Sequence, residues 1–140
     1  MKVVANGCFG GFGLSDDAII LYGELSGTPL YPKEDSYFTH WYNVPVDQLP
    51  KEPSQDLDYS DPEWENYRKI NNDASFSDSD LDRTDPILVQ VVEHLGDDAS
   101  GEYSQLYVVD VPSGSRWRIS EYDGLENVMT VDDYDWNIAT

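Results

Sequence analysis

The chain has 140 residues, 39% of them hydrophobic and 13% aromatic, and sets 28 Asp and Glu against 8 Lys and Arg for a formal net charge of −20. That balance excludes phosphate-rich ligands and acidic membrane surfaces as natural partners, while the apolar and aromatic content suffices for one folded core rather than a disordered acidic chain. A lone cysteine, Cys8, excludes an internal disulfide and a multi-cysteine metal site, fits a reducing compartment and is expected to be a small buried apolar residue.

In chain order, Val3 and Val4 predict a short buried strand over residues 2–6, preceded by too little charge and apolar length for a signal peptide. The glycine-rich stretch Gly7-Cys8-Phe9-Gly10-Gly11-Phe12-Gly13-Leu14 follows. Ser15 is a good N-cap, with Asp16 and Asp17 where the helix dipole favours acids, so residues 16–25 predict a helix ended by Gly27. Its buried stripe is expected at Ala18, Leu21, Tyr22 and Leu25, with Gly23 as a weak point. From Thr28 to Asp85, prolines at 29, 32, 45, 50, 53 and 62 and many Asp, Ser and Asn break the period. Only residues 62–70, with Trp64 and Tyr67 three apart, predict a short helix there, and residues 71–85 are expected to be a mobile loop. Asp85-Pro86 is a cap followed by proline at the first helical position. The helix 86–95 it opens places Leu88, Val91, Val92 and Leu95 on one face and stops at Gly96. Residues 105–111, 116–119 and 127–131 read as strands separated by Pro112-Ser113-Gly114 and Tyr122-Asp123-Gly124. The expected fold is therefore α+β. It is one domain over residues 1–140, with a short N-terminal strand, two main helices, a C-terminal antiparallel meander and a long irregular acidic segment at 33–85. No stretch approaches the roughly 18 apolar residues of a membrane span.

Two of these blocks carry a resemblance. Asn6-Gly7-Cys8-Phe9-Gly10-Gly11-Phe12-Gly13-Leu14-Ser15, with Asp85-Pro86-Ile87-Leu88-Val89-Gln90-Val91-Val92-Glu93-His94-Leu95-Gly96 and Glu121-Tyr122-Asp123-Gly124, resembles a family of small uncharacterised proteins of bacteriophages and prophages. The resemblance implies a phage origin and the host cytoplasm, and brings no activity or site residues. The middle segment is longer than in that family, and the tail Asp132-Asp133-Tyr134-Asp135-Trp136 is more acidic.

Catalytic patterns are weak. The glycines do not follow the G-x-G-x-x-G order, no Gly-Lys-Ser/Thr comes after them, and Asp78-Ser79-Asp80-Leu81-Asp82 lacks the glycine and glutamate of a calcium loop. Of the two histidines, His94 sits where it favours a helix C-terminus, and no nucleophile motif accompanies either. No enzyme activity, metal or cofactor is expected.

Charge placement is more telling. Residues 33–85 carry 14 acids and 5 bases, and residues 86–140 carry 11 acids and 2 bases, against a net of −2 before residue 33. Duplex DNA carries one charge per about 1.7 Å, so 20 charges correspond to roughly 34 Å of duplex, and a compact chain of this length is about 35 to 40 Å across. A small domain needs only about 2 to 8 net charges for solubility. Carboxylates interleaved with aromatics can replace phosphates opposite Lys and Arg while Tyr and Trp anchor the contact. The expected contact surface is Asp56, Asp58, Asp61, Glu63, Glu65, Asp78, Asp80 and Asp82, with Asp132, Asp133 and Asp135 as a second patch and Tyr59, Trp64 and Trp136 as anchors. The expected function is inhibition of a host protein with a basic nucleic-acid-binding surface, such as a defence nuclease, by DNA or RNA mimicry, without direct nucleic-acid binding. Two alternatives stand beside it: a ligand-binding or enzymatic domain built on the glycine-rich loop 7–13, and an accessory phage protein whose acidity only keeps it soluble.

Overall fold

Val3, Val4 and Ala5 have no exposed surface, and this run of apolar residues forms the centre of the first of two compact units. The computed structural model describes residues 1–35, 37–131 and 139. The fold is α+β. One unit comprises residues 1–22 with the described residues from 78 onward, and the other residues 23–77.

In the first unit, β1 (Lys2–Asn6) pairs antiparallel with β5 (Leu106–Asp110), Val4 opposite Val108. The strand is buried on both faces because α3 (Pro86–Leu95) and β7 (Leu125–Thr130) also lie against it. Full burial of an aliphatic side chain stabilises by about 1.5–3 kcal/mol, so Val3, Val4, Leu88 and Val91 form the principal apolar core of this unit. Helix α3 occupies its expected span. The Asp85 carboxylate accepts the Ile87 N–H at 2.8 Å, Pro86 opens the first turn, and Gly96 closes the last at φ 58°. Strands β6 (Trp117–Tyr122) and β7 form a hairpin with Trp117 opposite Thr130. Its two-residue turn, Asp123 at φ 49° and Gly124 at φ 86°, is the left-handed pair that a tight hairpin requires. The expected C-terminal meander is thus a hairpin alone, since β5 leaves it to pair with β1.

Helix α1 (Asp16–Ser26) begins under a Ser15 cap, whose hydroxyl accepts the Ala18 N–H. Its buried side is turned from the expected stripe: Ala18, Ile19 and Gly23 are buried and Leu25 is exposed. Gly23 explains the turn. A Cβ there would lie 2.9 Å from the Leu30 nitrogen, so the helix backbone at Gly23 packs directly against the chain at Leu30. Tyr22 donates to Asp85 Oδ2 at 2.6 Å, and burial together with that carboxylate pushes the phenol up to about 12. A phenol held neutral above its ordinary value near 10 contributes stability that is complete below pH 10 and lost as pH rises toward 12. Tyr22→Phe should remove this alkaline loss from urea-melting midpoints recorded between pH 9 and 12. An unchanged pH profile would contradict the assignment.

The second unit corrects the expectation of an irregular middle. Strands β2 (Tyr31–Glu34), β3 (Thr39–Tyr42) and β4 (Ser75–Phe76) form an antiparallel sheet, with Pro32 opposite Trp41 and Trp41 opposite Phe76. Pro32 is confined to an edge strand, as a residue without a donor must be. Between β2 and β3, Asp35 accepts the Tyr37 and Phe38 N–H groups and pairs with His40, which lowers its carboxyl to about 2. Helix α2 (Pro62–Ala74) runs four residues past its expected end, and its successor Ser75 enters β4 directly. Asn43 N–H donates to the Ala74 carbonyl at 2.8 Å, tying the end of the helix beside the sheet. Residues 71–85, expected as a mobile loop, instead comprise the last turn of α2, β4, a short 3₁₀ helix at Asp78–Asp80 and the turn leading to α3. No helix among the described residues is long and apolar enough to cross a membrane.

Candidate functional site

The expected contact residues separate into two sets. Asp56, Asp58, Tyr59, Asp61, Glu63, Trp64 and Glu65 belong to the second unit, at the entry to α2, and Asp78, Asp80 and Asp82 to the first. Asp132, Asp133, Asp135 and Trp136 lie outside the described residues.

Local hydrogen bonding shapes the entry to α2. Asp58 Oδ1 accepts both the N–H and the hydroxyl of Ser60 at 3.0 Å, and the backbone bond first, then the hydroxyl, lowers its carboxyl. Asp61 accepts the Glu63 N–H at 2.9 Å as the N-cap of α2, and Pro62 follows at the first helical position. These turns bring Tyr59 over Trp64, ring centroids 5.2 Å apart and 28° between planes, while Tyr67 meets Trp64 edge-on at 5.6 Å. The Arg68 guanidinium lies 4.5 Å from the Tyr59 ring centroid and donates to the Tyr59 carbonyl at 3.0 Å. Trp64 is half-buried beneath the stack, whereas Tyr59 remains 67% exposed. The result is an aromatic step in a segment whose acids Asp56, Asp58, Glu63 and Glu65 are exposed.

Not every acid in the expected surface is equally available. Asp78 Oδ2 accepts the Leu14 N–H at 2.9 Å, and Asp82 Oδ1 accepts the N–H and hydroxyl of Thr84 at 2.9 and 2.7 Å. The backbone bond and then the hydroxyl lower the Asp82 carboxyl. With Asp58 and Asp61, four of the eight described acids therefore hold local structure together. Asp56, Glu63, Glu65 and Asp80 have no side-chain partner among the described residues. No group of three or more His, Cys, Asp or Glu among the described residues is arranged to hold a metal ion.

The glycine-rich loop is occupied by its own protein. A Cβ on Gly10 would lie 1.8 Å from the Tyr103 carbonyl oxygen, and one on Gly124 would lie 2.5 Å from the Gly11 nitrogen. Gly7 N–H donates to the Gln105 carbonyl at 2.7 Å, and Gly101 N–H donates to the Gly13 carbonyl at 3.0 Å. At the end of the loop, where a phosphate-cradling turn presents amides to an anion, the Asp78 carboxylate already accepts one.

Beneath the loop lies a polar centre that sequence reasoning missed. Asn6 is fully buried, and its side-chain amide donates to the carbonyls of Cys8 and Gly124 at 2.8 and 2.7 Å and accepts the Gln105 N–H at 2.8 Å. Asn6 N–H donates to Glu126 Oε1 at 2.9 Å. Arg83 meets the Glu126 carboxylate with both terminal nitrogens and places its guanidinium 3.5 Å from the Phe12 ring centroid. Residues 6, 83 and 126 come from three distant parts of the chain. The one usable signal was a glutamate interrupting the apolar residues of β7. Cys8, expected to be buried, is half-exposed and donates to the Tyr103 carbonyl at 3.1 Å. Comparison with protein-family models, curated proteins and solved structures finds no match for this chain, so its functional assignment rests on the geometry of these surfaces.

Proposed function

We propose that this protein binds a host protein at a basic, nucleic-acid-facing surface and blocks it as a DNA or RNA mimic, acting as a phage anti-defence inhibitor in the host cytoplasm. The observation that supports the reading is the segment at the entry to α2, where the exposed acids Asp56, Asp58, Glu63 and Glu65 lie within a few residues of the exposed Tyr59, which stacks on Trp64. Carboxylates placed beside a fixed ring reproduce what a Lys- and Arg-rich groove meets on nucleic acid, anionic oxygens next to a flat stacking face. The stack is held from within by Trp64 and Tyr67, so Tyr59 loses little conformational freedom on binding. The net charge of −20 steers approach to a basic partner over distances set by ionic strength.

Reversal of Asp56, Glu63 and Glu65 to lysine tests the surface, because none of the three side chains has an internal partner among the described residues. Binding to a partner captured from host extract should weaken at least about tenfold at low salt, since rim charges act mainly through steering and pairing. Thermal stability should fall by no more than about 2 kcal/mol, because Glu63 and Glu65 lie in the first turn of α2, where the helix dipole favours acids. Unchanged affinity with an intact fold would refute the assignment. Asp61→Asn keeps the cap and separates the loss of charge from the loss of helix structure.

A further inference from the structure

A cleft of about 560 Å³ opens in the first unit between the glycine-rich loop and residues 97–105. Its lining includes Cys8, Phe9, Asp97, Glu102 and Tyr103, and no lysine or arginine. Phe9 is 64% exposed and Tyr103 70% exposed, an unusual placement for two large rings beside a concavity. Asp97 and Glu102 are exposed, and neither carboxylate has a partner among the described residues. The walls are fixed before anything binds: Gly7 N–H donates to the Gln105 carbonyl, Ser104 Oγ donates to the Gly13 carbonyl at 2.6 Å, and Gly10 lies hard against Tyr103.

A cleft lined by two exposed aromatic residues and two uncompensated carboxylates favours a cation. Both the cleft and the charge of the whole chain repel anions. Between the two protein cations, a guanidinium is planar, weakly hydrated and able to stack on a ring while its edge donates to a carboxylate, whereas an ammonium keeps its water more tightly. The volume lies within the range of ordinary ligand sites, yet the cleft is open to solvent, which suits a side chain offered by a second protein better than an enclosed metabolite. We infer that this cleft is a receptor for an arginine side chain of a protein partner, gripped by Phe9, Tyr103, Asp97 and Glu102. It lies in a different unit from the α2 surface and stands whether or not that surface is a nucleic-acid mimic.

Cys8 lines the cleft and is the chain's single cysteine, so it reports occupancy without a partner in hand. The rate of Cys8 alkylation by neutral iodoacetamide is measured against rising N-acetylarginine amide, with sodium chloride holding ionic strength constant. The expected result is saturable protection, with N-acetyllysine amide at least about twofold weaker because it lacks the stacking plane. Tyr103→Ser should raise the arginine concentration for half-protection about threefold, the worth of an exposed cation–π contact. Asp97→Asn with Glu102→Gln should raise it further, by up to about tenfold for two exposed charge pairs. Both acids are surface residues, so this variant folds even if the ring substitution does not. Absent protection, equal protection by lysine, or protection unaltered in the Asp97→Asn, Glu102→Gln protein would overturn the inference.

Discussion

Replacement of Arg83 by methionine is expected to lower stability by about 3 kcal/mol, the lower end for breaking a buried ion pair by removal of one partner. The lower end applies because the Arg83 and Glu126 side chains are 19% and 10% exposed rather than sealed. The cost arises mainly from Glu126, whose carboxylate would keep the Asn6 N–H and lose both guanidinium bonds while remaining almost dry. Loss of the guanidinium from the Phe12 ring adds to it. For a chain of this size the change corresponds to a thermal midpoint lower by about 10 °C. The double variant Arg83→Met, Glu126→Gln removes both charges and should recover more than half of that loss, because the pair itself is worth less than the penalty of stranding one member. A single variant as stable as the parent, or a double variant no better than the single, would contradict the account of this centre.

Gly10→Ala should be the most damaging substitution in the glycine-rich loop. Its Cβ would overlap the Tyr103 carbonyl oxygen at 1.8 Å and the carbonyl carbon at 2.6 Å, and both are backbone atoms that cannot rotate away. The loop must then separate from residues 103–105, losing the Gly7 bond to Gln105, and the expected cost exceeds about 3 kcal/mol, as for severe overpacking. Gly11→Ala differs in kind: nothing lies within 4 Å, but φ is +93°, so only backbone strain of roughly 1–2 kcal/mol is expected. Gly13→Ala, with its nearest atom an Asp78 oxygen at 3.9 Å, should be nearly neutral. Chemical unfolding of the three variants gives the order directly. Equal costs at positions 10 and 13 would mean that the loop is not built by close backbone approach.

These expectations show where the amino-acid order speaks locally and where it does not. Helix α3 was legible because Asp85, Pro86 and Gly96 act within a few bonds of their own helix ends, and its buried residues repeat with helical period. The Asp123-Gly124 turn was legible for the same reason. The partner of β5 was not, since Val4 and Val108 lie more than a hundred positions apart and a nearer strand offered an equally good pattern. The sheet of the second unit was hidden by its composition: Tyr31-Pro32-Lys33-Glu34 contains a proline and two charges, tolerable only because β2 is an edge. On α1, Gly23 misled the reading of the buried stripe, because a residue without a side chain can face inward only when backbone comes to meet it.

The candidate surface was legible in part. Alternating acids and aromatics marked residues 56–65, and the Tyr59–Trp64 stack gives that pattern a definite form. What the pattern could not distinguish was a carboxylate facing solvent from one consumed by a turn, because Asp58 and Asp82 have the same composition around them as Asp56 and Asp80. Only hydrogen-bond geometry separates those roles. The Asn6, Arg83 and Glu126 centre left almost no trace, since each residue is unremarkable in its own segment and meets the others only through the fold.

The most direct test of the mimicry proposal is competitive release from the immobilised protein. Host extract is passed over it at physiological salt, and the retained material is challenged with a short duplex DNA and, separately, with single-stranded RNA, at constant ionic strength. The proposal predicts one predominant nucleic-acid-binding protein, released by one of these nucleic acids in proportion to its own affinity for it, and not retained by the Asp56→Lys, Glu63→Lys, Glu65→Lys variant. A partner that stays bound at saturating concentrations of both nucleic acids, or no retained protein at all, would contradict it.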